Sequence, residues 1–282
     1  MTGMSESVQT TTINGARLSY ISAGHGAVTV IFVHGSLDDY RSWRYQMEPF
    51  SERYRAVAYS RRYHYPNPWG GDGSDYSAEL HANDLAALIR ALADAPVHLV
   101  TSSYGGNVGL YMTAQHPELV RSVVLGEPPL LPWLAHIPGG KWHWERFLDR
   151  AWRPARVAFE QDRLEDGARL FLDGVMGRPT FAHLGRRARQ MIMDNAPEMK
   201  AETLSNQYFP PFTCEHAHAL RQPVLLCKGE ISPALFGMVT DDLAQCLPDA
   251  RPPVIIPGAS HAMHVGNPDF YNRAVLEFLA FC

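Results

Sequence analysis

Six short, almost continuously apolar runs, at 29–33, 56–59, 97–100, 122–125, 224–227 and 254–256, constrain this chain more than any other feature. Runs of Val, Ile and Leu of this length suit strands covered on both faces, as in a parallel sheet. Ahead of them, alternating residues up to Ile13, the turn pair Asn14-Gly15 and the segment 17–22 predict an opening hairpin. Helical patterns lie between the runs. Residues 77–93 place Leu80, Asp84, Leu85, Leu88 and Leu92 at helical spacing, with Ser77 as cap, and 104–115 and 268–281 read the same way. Strands alternating with helices give right-handed crossovers, so the expected fold is α/β with a doubly wound, mostly parallel sheet.

One stretch breaks the alternation. Residues 132–211 carry helical patterns rich in Arg, Met and Trp and no convincing strand. The expected organisation is a core of 1–131 and 212–282 with 132–211 inserted as a helical cap, a lid over the carboxyl edge of the sheet. At 282 residues such a core needs neither disulfides nor metals to hold it. The net charge of -4, without a Lys/Arg run, argues against nucleic acid or an anionic membrane as partner. Residues 1–12 are polar and read as no leader, and no apolar run is long enough to cross a bilayer. Cys214, Cys227, Cys246 and Cys282 match no C-x-x-C or zinc spacing, which reads as free, reduced thiols in a cytoplasmic protein.

The chemistry concentrates where the strands end. The run 97–100 leads into Thr101-Ser102-Ser103-Tyr104-Gly105-Gly106 and then a helix. A serine on a tight strand-to-helix turn adopts a strained backbone, so residues two positions away need to be small. Ser103 as nucleophile puts Gly105 there; Ser102 would put the bulky Tyr104 there instead. The turn also aims the next amide at a nascent oxyanion. His34-Gly35-Ser36 directly follows the run 29–33, and Gly258-Ala259-Ser260-His261 follows 254–256 ahead of the last helix.

On these motifs and their element order the chain resembles the α/β-hydrolase superfamily, whose elbow is usually G-x-S-x-G; here Thr101 stands in the first glycine's place. The resemblance implies a serine hydrolase with Ser103 as nucleophile, His261 as general base and the amides of Ser36 and Tyr104 as oxyanion donors. His264 is the competing histidine, set aside because His261 has the family's spacing from Gly258. Most relatives carry the acid after the strand at 224–227, where this chain reads Gly229-Glu230-Ile231-Ser232, with serine in the expected place. Some branches, including zearalenone-type lactonases, carry it one strand earlier, as Glu127 in Leu125-Gly126-Glu127-Pro128-Pro129 would. Glu127 is therefore the expected acid and Glu230 the alternative.

Other features take plainer readings. Trp133, Trp142, Trp144 and Trp152 in the cap, with His34 and His264, are candidates to line a substrate pocket, while Trp on a helix also serves as packing. His216-Ala217-His218 reads as a surface loop rather than a metal site. Arg61-Arg62-Tyr63-His64-Tyr65 would bind a carboxylate or rim the cleft, and the sequence leaves both open. There is no G-x-G-x-x-G or phosphate loop, and no cofactor or metal is implied. The resulting expectation is hydrolysis of a small-molecule carboxylic ester or lactone, hydrophobic in character, through an acyl-enzyme. Alternatives on the same fold are a C–C bond hydrolase or cofactor-free oxygenase, and a ligand receptor with little turnover. Oligomeric state is open.

Overall fold

The apolar runs become strands of one sheet: β1 (Gln9–Ile13), β2 (Ala16–Ala23), β3 (Thr29–Val33), β4 (Arg55–Tyr59), β5 (Val97–Ser102), β6 (Val120–Gly126), β7 (Val224–Gly229) and β8 (Val254–Ile256). The structure, a computed structural model, describes residues 7–282 except 206, 208, 210 and 250. Residues 1–6 of the polar N-terminus, and those three positions of the expected cap, lie outside the described residues. The strand order is β1-β2-β4-β3-β5-β6-β7-β8. β2 pairs antiparallel with β1 and β4, and every other pairing is parallel.

The opening hairpin turns at Asn14 and Gly15, both at positive φ, as its turn pair requires. In β3 all five residues are buried. Ile31 and Val33 face one hydrophobic cluster while Val30 and Phe32 face the other, the period-2 alternation of a strand covered on both faces. Helices α1 (Arg44–Ser51), α2 (Ala78–Leu92) and α3 (Tyr104–Gln115) interleave with the strands. Ser77 caps α2 by accepting from the Leu80 amide.

Among the described residues, the chain between β6 and β7 forms helices and turns but no strand: α4 (Gly140–Phe147), α5 (Arg153–Glu160), α6 (Leu164–Met176), α7 (Arg186–Asp194), α8 (Ala196–Leu204) and α9 (Cys214–His218). After β7 come α10 (Ala234–Cys246), α11 (Met263–Gly266) and α12 (Pro268–Leu279). No helix among the described residues is long and apolar enough to cross a membrane.

The reading of four free thiols needs correction. Cys214 of α9 and Cys246 of α10 form a disulfide, leaving Cys227 and Cys282 free. Thirty-two positions separate the bonded pair, so nothing in their spacing pointed to contact.

The parallel register sets the chemistry. Val33 pairs with Thr101, Ser102 with Gly126, and Gly126 with Cys227, so β3, β5 and β6 end side by side. The residues that follow them emerge along one edge of the sheet.

Candidate active site

Ser103 sits between β5 and α3 at φ 51°, ψ -126°, a conformation costly for a residue with a side chain. Its amide donates to Gly126 O at 2.8 Å, and its carbonyl accepts from the Gly106 amide at 2.7 Å. The turn is crowded enough to dictate its glycines. A Cβ on Gly105 would run into the carbonyl oxygens of Val33 and His34, and one on Gly106 would lie 2.8 Å from Pro128 Cβ. Thr101, where glycine is usual, is accommodated from the helix side. Gly109 of α3 faces it, and a Cβ there would come within 2.9 Å of Thr101 Cγ2. The Thr101 hydroxyl donates to Val124 O at 2.8 Å, so its polar atom is satisfied inside the sheet.

Glu127, the first residue after β6, is fully buried and at φ 45°. Its carboxylate accepts three hydrogen bonds: Gly229 N at 2.9 Å, Ser232 Oγ at 3.1 Å and His261 Nδ1 at 2.6 Å. An ionised carboxylate only accepts, so Nδ1 carries the proton and Nε2 is the basic nitrogen. Nε2 is buried and has no hydrogen-bond partner among the described residues. The imidazole face stacks on Phe236 of α10 at 3.9 Å, which fixes the ring plane. Glu230 takes a different place: its Oε2 accepts from the exposed Gly258 amide at 2.7 Å. The structure therefore brings Glu127 to His261, and Ser232, at the place where relatives carry the acid, becomes a donor that steadies Glu127.

The loop after β3 lies against Ser103. A Cβ on Gly35 would lie 2.9 Å from Ser103 Cβ and 3.6 Å from its Oγ, so Gly35 packs on the serine and the Ser36 amide is the next along the chain. Tyr104 opens α3, and its amide lies in the first turn at the positive end of the helix.

Several expected pocket residues are scaffold instead. His34 is fully buried, with Nδ1 donating to Gly35 O at 2.9 Å and Nε2 accepting from the Arg61 amide at 3.0 Å, so neither nitrogen remains for a substrate. Burial, then the Arg61 charge, pushes its pKa well down and keeps it neutral. His264 is buried 4.4 Å from the Trp43 ring with Nε2 on Ser42 Oγ, and burial pushes its pKa down to about 3. Trp133 donates its indole N–H to Phe212 O, a packing contact, and Trp142 is 60% exposed beneath Arg146. Trp144 and Trp152 pack on Phe209, at 4.8 and 5.4 Å. His216 closes a capping box with Thr213 at the start of α9, and no group of His, Cys, Asp or Glu among the described residues could hold a metal ion.

The sequence reading missed a buried polar cluster behind the Ser36 loop. Arg61 is buried and donates to His34 O, Gly35 O and the Tyr76 hydroxyl. Glu198 and Glu202 of α8 are also fully buried. Glu198 accepts from the Leu37 amide at 2.6 Å and Glu202 from the Ser36 hydroxyl at 2.8 Å. The carboxylates facing Arg61 are the protein's own. Two glutamates at i, i+4 on a helix carry no sequence signal for this, since that spacing normally marks a solvated face.

Residues 30–274 match the family described as the alpha/beta hydrolase family. Epoxide hydrolase 3 of Mus musculus is 32% identical over 119 residues, 42% of this chain, and the match spans 32% of that protein's length. The 2-(acetamidomethylene)succinate hydrolase of Mesorhizobium japonicum is 24% identical over 265 residues, 89% of this chain and 87% of that protein. Among solved structures, the enol-lactonase from Burkholderia xenovorans LB400 superposes with a TM-score of 0.72 at 19% identity, covering 96% of this chain and all of that one. At that identity the likeness carries the fold alone.

Proposed function

Since the chain belongs to the alpha/beta hydrolase family, we propose that it is a hydrolase that cleaves a carboxylic ester or lactone by acyl transfer through Ser103. The observation that carries the reading is the 2.6 Å bond between Glu127 and His261 Nδ1, which leaves Nε2 as the basic nitrogen, together with the strained elbow that holds Ser103; Nε2 and the Ser103 hydroxyl are not hydrogen-bonded to one another. In this reading Nε2 takes the Ser103 proton as Oγ attacks the carbonyl, and the buried Glu127 carboxylate stabilises the imidazolium that forms. The Ser36 and Tyr104 amides receive the developing oxyanion. The imidazolium then protonates the leaving alkoxide, and the neutral ring activates the water that releases the acyl group.

The nucleophile's chemistry favours esters over epoxides, although an epoxide hydrolase is among the relatives. Serine opening an epoxide would leave an alkyl ether, which a histidine-activated water does not cleave, so the enzyme would stop after one turnover. A carbonyl substrate gives an acyl-serine that water can release. Phe236 against His261 supplies an apolar wall beside the base, which supports a hydrophobic acyl or lactone portion. The Cys214–Cys246 bond weighs against a strongly reducing compartment.

A substrate panel tests the reading: p-nitrophenyl esters of increasing chain length, lactones, a vinylogous diketone and an epoxide, each with native protein and Ser103→Ala. Turnover of esters or lactones that the variant lacks is expected. Turnover confined to the diketone would favour the C–C hydrolase alternative. Tight ligand binding with background turnover would favour a receptor.

A further inference from the structure

The corner where α7 meets α8 is joined to the loop after β3 by four successive polar contacts. Arg41 bridges Asp39 and Asp194, and Asn195 Nδ2 donates to Asp39 Oδ2 at 2.8 Å. The Leu37 amide donates to Glu198 and the Ser36 hydroxyl to Glu202. These contacts span residues 36–41 on one side and 194–202 on the other. The last two grip the turn directly after Gly35, the residue packed on Ser103.

We propose that Glu198 and Glu202 are positioning residues for hydrolysis, holding the Ser36–Leu37 turn by its hydroxyl and its amide so that the Ser36 N–H faces the carbonyl attacked by Ser103. The inference rests on the reading of Ser103 and Ser36 given above.

Counting hydrogens describes the device further. The Tyr76 hydroxyl lies 3.1 Å from Glu198 Oε2 and 2.9 Å from Glu202 Oε2, and it accepts from Arg61 Nη1 at 3.1 Å. Tyrosine has one proton to give, so it donates to one carboxylate, and the other contact is a hydrogen bond only if that carboxyl carries its own proton. Both contacts are therefore hydrogen bonds when at least one carboxyl of the pair is protonated. The groups around it agree with this arrangement. Burial pushes both carboxyls up, Glu202 to about 7, and Glu198 is raised in addition by the repulsion of Glu202. Arg61 is the cation that acts on both carboxyls. His64, whose Nε2 is 3.3 Å from Glu198, and its neighbours His34 and His81 are kept neutral by burial and by Arg61. Tyr76 and Tyr104 are held protonated by burial. A protonated pair beside Arg61 grips the turn without gathering two negative charges next to a forming oxyanion.

The test compares Ser36→Ala, Glu202→Gln, Glu198→Ala, Glu198→Gln and the Ser36→Ala/Glu202→Gln double variant. Each is measured for kcat, KM, thermal stability and the fraction of Ser103 labelled by a fluorophosphonate. Misplacing one oxyanion donor predicts a kcat loss of about tenfold to a hundredfold per labelled site, with KM within about twofold. Ser36→Ala keeps the backbone N–H and both glutamates, so it reads positioning even if a glutamate variant fails to fold. The double variant should lose little beyond the larger single loss. Glu198→Gln, whose amide matches a protonated carboxyl, should recover much of what Glu198→Ala loses. Unchanged kcat per labelled site in Ser36→Ala, or in Glu198→Ala, with only stability altered, would overturn the proposal. Failure of native protein to label or turn over would instead remove the reading of Ser103 on which it rests.

Discussion

Two groups of buried carboxylates border Ser103, and they are satisfied differently. Glu127, at the end of β6, meets three donors drawn from the neighbouring strand end and from His261, so a single charge is fully matched by hydrogen bonds. Glu198 and Glu202, on α8, face one another across a single tyrosine hydroxyl with one guanidinium nearby, so their charges compete and burial favours the protonated form. The first arrangement fixes a charge where an imidazolium forms. The second fixes a backbone turn without adding charge beside it. A buried carboxylate can thus serve as a counter-ion or as a clamp, and the donors around it decide which.

The largest expected effect breaks the comparison on the Glu127 side. Glu127→Gln removes the charge and offers Nδ1 an amide, which disturbs the tautomer, and kcat should fall by about 10⁴-fold. Glu230→Gln, which touches only the exposed Gly258 amide, should stay within about threefold of native. Equal losses in the two variants would erase the distinction between the strand ends. The α8 variants come next, at the tenfold to hundredfold loss given above.

The smallest effect sharpens the comparison by pH. Glu202 is raised to about 7 in the folded protein, so folding favours its protonated form. Its contribution to stability is complete below the ordinary carboxyl range and is lost as the pH climbs to about 7. Asp38 is raised to about 7, mainly by burial and then by Asp39, and acts in the same direction. His264, lowered to about 3, and His98, lowered to about 4, act oppositely and weaken the fold on acidification. The informative quantity is therefore the difference between native protein and Glu202→Gln. The native Tm should lose more between pH 5 and pH 8 than the variant's, as thermal melts across that range would report. Parallel profiles would show that Glu202 does not hold its proton.

Much of this architecture was legible in the sequence because strand burial and elbow chemistry leave local patterns. The runs at 29–33 and 254–256 match β3 and β8 end to end. Ser103 was marked by the small residues its turn requires. Glu127 was marked by its place after a strand and before proline, through likeness to one branch of the superfamily. What stayed hidden depends on contacts between distant segments. Glu198 and Glu202 look like a solvated helix face until α8 packs on the Ser36 loop, more than 160 positions away in the chain. His34 resembles a pocket residue until Arg61 and Gly35 occupy both of its nitrogens. The disulfide joins two cysteines whose spacing carries no motif.

The most direct test of the central claim is intact-mass analysis after labelling with a fluorophosphonate, run on native protein, Ser103→Ala and Glu127→Gln. The account predicts one adduct on the native protein, none on Ser103→Ala, and an adduct that forms far more slowly on Glu127→Gln. An adduct that persists in Ser103→Ala, or one that forms at the native rate in Glu127→Gln, would contradict it.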